Sequence, residues 1–384
     1  MDQVIDSLKV IRVNVIDQDQ AYIIFEILNA RGINLSPVDL IKNKVLAECD
    51  EQYPIDFAKK QWDEISNRLT QRETNTSLED YVLHWWMARH KHTRKRNLYK
   101  DFRKKLQSGD IVPQDFLEDL HSTSELYIKI ASPQSSDWNQ ADQKPIFYSL
   151  FALNTFKIII NRPFLISLFL AKESQKITQS SLIDTLKKIE SFHFVFNAIC
   201  SMSPSSVERP YLNAARHLQE SSNKREATKV INDLIEKLTD KLPSEATFLD
   251  KFRKLKFTNS FTKHKKLIQY IFIKMELHAR NNNEFYPEDL TLEHIIPQSY
   301  GDKNKIGMIG NIIPIGESLN VDASRRPLSQ KIATYKKSDY RIVQEFVEKN
   351  GDKSSWEVKD IESRTEQLAR EAFQNVWALN RINV

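Results

Sequence analysis

Apolar residues spaced three and four apart dominate this chain, and that spacing predicts a mainly α protein. The helical period holds from about residue 55 to 280 and is clearest over 78–96, 183–199 and 265–279. The most apolar segment, 146–171, is interrupted by Lys157, Asn161, Arg162 and Pro163. Its uninterrupted run after Pro163 falls far short of the roughly 20 residues that span a bilayer. Two buried helices are expected there, with Pro163 in the first turn of the second, where a missing N–H breaks no hydrogen bond.

The two ends of the chain depart from this pattern. Residues 9–16 alternate and are rich in Val and Ile, which predicts a strand. Residues 20–28 read as a helix with Ile23, Ile24, Ile27 and Leu28 on one face, closed by Gly32. Ser36 and Pro37 then fit the N-cap and N1 positions of a second helix, whose apolar stripe is Val38, Leu40, Ile41 and Val45. Near the other end, Asn281-Asn282-Asn283 is a polar break. Beyond it, 290–294 reads as a short strand and 311–315 as a second, with Pro314 pointing to an edge position. A helix starting at Pro327 carries Leu328, Ile332 and Tyr335. Strand, loop, strand, helix is the order of a ββα metal finger. The expected division is a small truncated α/β segment over 1–54, a helical region over 55–283, and a finger embedded in helices over 284–384.

Composition narrows the function classes. A chain of 384 residues exceeds one ordinary core, and seven glycines speak against a glycine-rich β architecture. The net charge of +5 permits nucleic-acid contact without requiring it. Cys49 and Cys200 stand far apart with no CxxC spacing, so two reduced, part-buried thiols are expected, and no structural zinc. No basic stretch followed by an apolar core opens the chain, so the expectation is a cytoplasmic protein without a membrane segment. Two basic groups stand out. His90-Lys91-His92-Thr93-Arg94-Lys95-Arg96 follows Trp85 and Trp86 and reads mainly as a solvated helix face. Lys251, Arg253, Lys254, Lys256, Lys263, Lys265 and Lys266 lie just ahead of the finger, where contact with DNA phosphates makes more sense.

The chemistry concentrates in Glu293-His294-Ile295-Ile296-Pro297-Gln298, followed by Gly310-Asn311 and Leu319-Asn320. A carboxylate and an amide oxygen can hold a hard divalent ion, and a histidine beside them can take a proton from water. Singly, each residue has a plainer role: His294 as a core histidine, Asn311 in a turn, Asn320 as a helix cap. Their joint order within a ββα pattern points instead to phosphodiester hydrolysis.

This ordered set resembles the HNH, or His-Me finger, nucleases, and especially the C-terminal nuclease domain of GmrSD-type modification-dependent restriction endonucleases. The same acid-His-aliphatic-aliphatic-Pro-Gln-Ser string occurs in the HNH domain of CRISPR RNA-guided nucleases. The resemblance covers roughly residues 250–380, with Lys331 and Tyr335 matching a downstream lysine and tyrosine. It implies His294 as general base and Glu293 and Asn320 as ligands of one Mg²⁺ or Mn²⁺. It also implies that Asn311 orients His294 through its carbonyl, and that Lys331 or Arg325 contacts phosphate. Many HNH nucleases carry histidine as the third element, where this chain has Asn320.

Residues 25–43 resemble the later part of the ParB-like N-terminal domain of the same group, in which Asn29, Asp39 and Lys42 match polar positions near a nucleotide. The earlier Asp-Gly-Gln-Gln-Arg motif of that domain is absent from the sequence. Nucleotide binding is therefore expected only with a partner subunit that supplies the missing sensor half. The functional expectation is a metal-dependent endonuclease acting on DNA in bacterial anti-phage restriction. The alternatives are a non-catalytic helical interaction subunit with a degenerate finger, or an RNA-cleaving toxin.

Overall fold

The computed structural model describes residues 36–49, 55–72, 76–281, 287 and 290–379. The expected strand over 9–16, the helix over 20–28 and the candidate Asn29 lie outside the described residues. Among those described, helices dominate and two short strands form one antiparallel sheet.

The described residues fall into two compact units. One takes in the chain up to Gln71, Asn75–Leu83 and Thr93–Ser124; the other takes in Arg72–Thr74, His84–His92 and everything from Glu125 onward.

In the first unit, helix α1 (Pro37–Cys49) begins as its sequence predicts. Ser36 Oγ accepts from the Asp39 amide at 3.2 Å, and the Asp39 carboxylate accepts back from the Ser36 amide at 3.1 Å. This reciprocal cap satisfies two N–H groups that the helix itself cannot. Val38, Ile41, Val45 and Cys49 are its buried face. It packs on α2 (Ile55–Thr70), which buries Trp62, Ile65 and Leu69.

The expected single helix over 78–96 is instead broken. Helix α3 ends at Arg89 (Leu78–Arg89), a short 3₁₀ turn follows at Lys95–Asn97, and α4 (Leu98–Gln107) starts anew. Lys95 leaves the basic run to pair with Asp80 at 2.6 Å and Glu79 at 3.4 Å. Thr93 Oγ1 donates to Asp101 at 2.6 Å across the break.

The second unit holds the long helical array and the two-stranded sheet. The apolar segment forms α6 (Lys144–Thr155) and α7 (Arg162–Glu173), following α5 (Pro113–Ala131), and Pro163 sits in the first turn of α7 as expected. No described helix is long and apolar enough to cross a membrane. Helix α8 (Gln179–His193) runs on into a π turn at Phe194–Ile199. Helices α9 (Glu208–Glu220), α10 (Lys224–Thr239), α11 (Glu245–Phe252) and α12 (Lys265–Arg280) lead to the finger. Asn281 ends α12 in the left-handed conformation, with φ of 49°. Cys49 and Cys200 are both buried and free, and burial raises both thiol pKa values, that of Cys200 to about 11.

Strand β1 (Leu290–His294) pairs with β2 (Ile312–Gly316) in a register that sets Leu290 opposite Gly316 and His294 opposite Ile312. Pro314 lies opposite Leu292, and in a two-stranded sheet both strands are edges, so its missing N–H is tolerated. The connector carries α13 (Lys303–Ile306) and a 3₁₀ turn at Ile309–Asn311. After β2 come α14 (Glu317–Ala323), α15 (Leu328–Tyr335), α16 (Arg341–Asn350) and α17 (Val358–Glu371). Ile295, Ile309, Ile312, Ile313, Ile315, Ile332 and Tyr335 join Phe248, Phe252, Phe257 and Ile271 in one continuous core. The two-stranded sheet is therefore not a free-standing module: its apolar face is completed by α11 and α12.

Candidate active site

Glu293 and His294 end strand β1, and both line one cavity of about 430 Å³. Its other walls come from Asn259 and Ser260, from Pro297, Gln298 and Ser299 after the strand, and from Lys303, Ser324 and Arg325. The lining is polar and carries two cations with no anionic partner among the described residues, Lys303 and Arg325. Ser324 holds a φ of 41°, in the left-handed region that favours glycine. Such a backbone persists only where its surroundings impose it. Here it closes α14 and turns the chain so that Ser324 and Arg325 face the cavity.

The imidazole of His294 is buried, and both its nitrogens are engaged. Nε2 lies 2.9 Å from the carbonyl oxygen of Phe257, which can only accept, so the proton sits on Nε2. Nδ1 is thereby left as the basic nitrogen. It accepts a long hydrogen bond of 3.3 Å from the Gln298 side-chain amide. That amide has its orientation fixed from the other side, because its oxygen accepts from the Asn259 backbone N–H at 2.8 Å. Burial, with the nearby Lys331 charge, holds the His294 pKa below the usual histidine value. The residue is therefore neutral and able to take a proton at ordinary pH.

Glu293 is 7 % exposed and carries a salt bridge to Lys331 through Oε1. Lys331 is fully buried, and its ammonium also donates to the His294 carbonyl at 2.5 Å. Burial opposes both charges, raising the Glu293 pKa and lowering that of Lys331, while the pair's mutual attraction works against each shift. The expected contact of Lys331 with phosphate is corrected accordingly. Its ammonium is spent inside the protein, where it holds Glu293 and the end of β1 in place.

Asn311 is fully buried, and it staples the connector at four points. Its carbonyl accepts from Ile295 N at 2.8 Å and its Oδ1 accepts from Ile296 N at 2.9 Å. Its amide donates to Ile296 O at 3.0 Å and to Ile306 O at 2.8 Å. These bonds tie the connector to the residues that follow β1. The expected orientation of His294 by the Asn311 carbonyl is not what the structure has, since Phe257 supplies the carbonyl that takes the imidazole N–H. The turn around Asn311 is clamped in its own right. Arg364 on α17 donates to Gly310 O at 2.9 Å and Ile312 O at 2.7 Å, and Gly310 N donates to Thr365 Oγ1 at 3.1 Å.

Asn320 is corrected as well. It does not line the cavity of Glu293 and His294. Its amide donates to Thr291 Oγ1 at 2.9 Å, and it faces a second cavity with Thr291 and Leu292. Of the other candidates, Asp39 is occupied in the cap of α1, and Lys42 lies 3.6 Å from Asp63. Sequence reading missed Phe257, Asn259, Gln298 as a contact of the base, and Lys303. The first acts through a backbone carbonyl, which no residue type signals. Gln298 was visible only as part of the motif string.

No group of three His, Cys, Asp or Glu side chains that could hold a metal occurs among the described residues. In this cavity Glu293 alone offers anionic oxygens: Oε1 is bonded to Lys331, and the carboxylate also accepts from the His294 backbone N–H. One carboxylate suits Mg²⁺ or Mn²⁺, which keep much of their water and complete their shell with phosphate oxygens. It does not suit zinc, which takes several nitrogen or sulfur ligands. A hard divalent ion here would be held by Glu293, with water and substrate oxygens completing its shell.

No curated protein matches this chain. Residues 242–371, which contain every residue of this cavity, match the family model of the C-terminal domain of GmrSD restriction endonucleases.

Proposed function

We propose that this protein is a metal-dependent HNH-type endonuclease that hydrolyses DNA phosphodiesters, as the nuclease component of a modification-dependent restriction system. One observation carries the reading. A neutral histidine, its tautomer set by the Phe257 carbonyl, turns its basic nitrogen toward a polar cavity that also holds a carboxylate and two cations. The family match over residues 242–371 supports the same chemistry.

In this reading His294 Nδ1 removes a proton from the attacking water, and the Phe257 carbonyl stabilises the imidazolium that results. Gln298, 3.3 Å from Nδ1, yields its place to that water when substrate enters. Lys303 and Arg325 offset the charge of the scissile phosphate. Glu293 would hold a divalent ion, which would supply Lewis-acid stabilisation of the phosphate and of the leaving oxygen. Attack by water leaves a 5′-phosphate and a 3′-hydroxyl.

The test is cleavage of plasmid and phage DNA by the full chain with Mg²⁺ or Mn²⁺, beside His294→Ala. A positioned general base contributes about 10²–10⁴-fold, so the variant is expected to lose cleavage by that factor while keeping its helical content. Full activity in His294→Ala defeats the proposal. RNA run in parallel decides the substrate class.

A further inference from the structure

A second cavity, of about 310 Å³, is lined by Phe257, Lys265, Gln269, Thr291, Leu292, Glu317, Asn320 and Val321. Three elements run from it into the candidate active site in the same order. Strand β1 contributes Thr291 and Leu292 to this cavity, then Glu293 and His294 to the other. Helix α14 and its exit contribute Glu317 and Asn320 here, then Ser324 and Arg325 there. The segment before α12 contributes Phe257 here, then Asn259 and Ser260 there. The same three elements thus line both cavities, which lie side by side along β1. Thr291 and Glu293 stand two residues apart on β1, about 7 Å along the strand, which is within the span of one nucleotide.

The polar groups of this cavity have a definite sense. Thr291 spends its hydroxyl proton on Ile315 O at 2.7 Å, so its oxygen can only accept from Asn320. That bond fixes Asn320 with its N–H₂ inward and leaves the side-chain oxygen unbonded among the described residues. Gln269 likewise donates its N–H₂ to the Leu290 carbonyl at 3.0 Å, which leaves its own oxygen unbonded. Glu317 is exposed and has no ion pair among the described residues. Three acceptor groups therefore line the cavity beside the exposed Lys265 ammonium, which lies 5.7 Å from the centre of the Phe257 ring. Acceptors alone would suit a cation; the ammonium among them opposes one. Together they suit a ligand that presents hydrogen-bond donors on a flat edge and carries a phosphate.

We infer that this cavity is a base subsite for the nucleotide next to the scissile phosphate, and that Asn320, Gln269 and Glu317 read an exocyclic amino group there. Adenine and cytosine present such a donor, whereas thymine presents an acceptor and a methyl group. The inference rests on the nuclease reading for its substrate and adds to it a preference for amino-bearing bases.

The test measures binding, so that it does not depend on cleavage. Full-length His294→Ala protein is titrated with fluorescent single-stranded oligo-dC, oligo-dA and oligo-dT of equal length, which removes any question of register. The expected result is tighter binding of oligo-dC and oligo-dA than of oligo-dT, by about tenfold. Gln269→Leu and Glu317→Gln, each added separately, are expected to shrink that gap severalfold. Glu317 is exposed, so its variant keeps the test valid should Gln269→Leu disturb packing. Equal affinities, a gap that survives both variants, no binding at all, or a gap abolished by raising Mg²⁺ each overturns the subsite; the last would mark a cation site instead. Wild-type cleavage with no base preference sinks the subsite alone. A base preference without cleavage sinks the nuclease reading and leaves only a base-binding cavity.

Discussion

Replacing Lys331 by methionine tests whether the site is held together from behind. The Lys331 side chain is wholly buried and Glu293 nearly so, and the ammonium bonds both the Glu293 carboxylate and the His294 carbonyl. Methionine keeps the length and apolar stem but leaves Glu293 buried without a counter-charge. Breaking a buried pair from one side costs about 3–5 kcal/mol. The loss is expected in full at pH 8, measured by urea unfolding with circular dichroism and tryptophan fluorescence. With the lysine gone, Glu293 titrates further above its unfolded value than burial already places it. A folded pKa above the unfolded one means that the native state holds the proton more tightly. The penalty therefore shrinks as pH falls and the carboxyl becomes neutral. Adding Glu293→Gln to Lys331→Met removes the orphaned charge at constant shape and is expected to restore most of the stability. The double-mutant cycle isolates the coupling. A cost below about 1 kcal/mol, or a double variant no more stable than Lys331→Met alone, would refute the claim that this ion pair anchors the site.

Three further outcomes follow from the geometry. The lowered His294 pKa places the acid limb of kcat/KM below the ordinary histidine range, since His294 becomes protonated and inactive only as pH falls through that lowered value; a limb at or above pH 6.5, the ordinary histidine pKa, contradicts the burial argument. Gly310→Ala is expected to destabilise by several kcal/mol in thermal or urea unfolding, because its Cβ would lie 2.1 Å from Ile361 O and 2.4 Å from Thr365 Oγ1; stability within about 0.5 kcal/mol of wild type refutes the close packing of the turn on α17. Asn311→Ala strips three side-chain hydrogen bonds and orphans the buried groups they satisfied, at about 1–3 kcal/mol each as an upper bound; unchanged stability and cleavage would show that the connector holds itself.

Much of the finger was legible because its signals are local. Residues 290–294 form the expected strand, and β2 is displaced by a single residue from 311–315 because Asn311 closes the preceding 3₁₀ turn. Pro327 starts α15 as a proline should, at the N-cap where no N–H is needed. The helix over 78–96 failed for a tertiary reason. Its period is sound, but Lys95 and Thr93 are drawn to Asp80 and Asp101, and the chain breaks between them. The active-site roles were legible as residue types and not as partners. Lys331 and Asn320 each have a chemistry that fits a phosphate or a metal, and side-chain chemistry says nothing of direction. One faces inward to a buried carboxylate, and the other is turned by the Thr291 hydroxyl into the neighbouring cavity.

The least legible part of the site is the contact that fixes His294. Within the ββα finger alone, His294 has no acceptor for its Nε2 proton, and either tautomer would be open to it. The acceptor comes from Phe257, more than thirty residues earlier. That segment is locked to the finger by its own backbone bonds: Phe257 N donates to Gly307 O at 2.8 Å, and Ile309 N donates to Leu255 O at 3.2 Å. Its next turn supplies Asn259, which fixes Gln298 and so governs access to Nδ1. The base is thus assembled across residue 284, where composition alone suggested that a domain begins. A fragment starting there would keep every residue of the recognisable motif. It would lose the carbonyl that sets the tautomer, the amide partner of Gln298, and the apolar surface of α11 and α12 that buries the sheet. Such a fragment is expected neither to fold nor to cut. A piece that keeps these contacts includes α11 and α12 and extends back to about residue 242, where the family match begins.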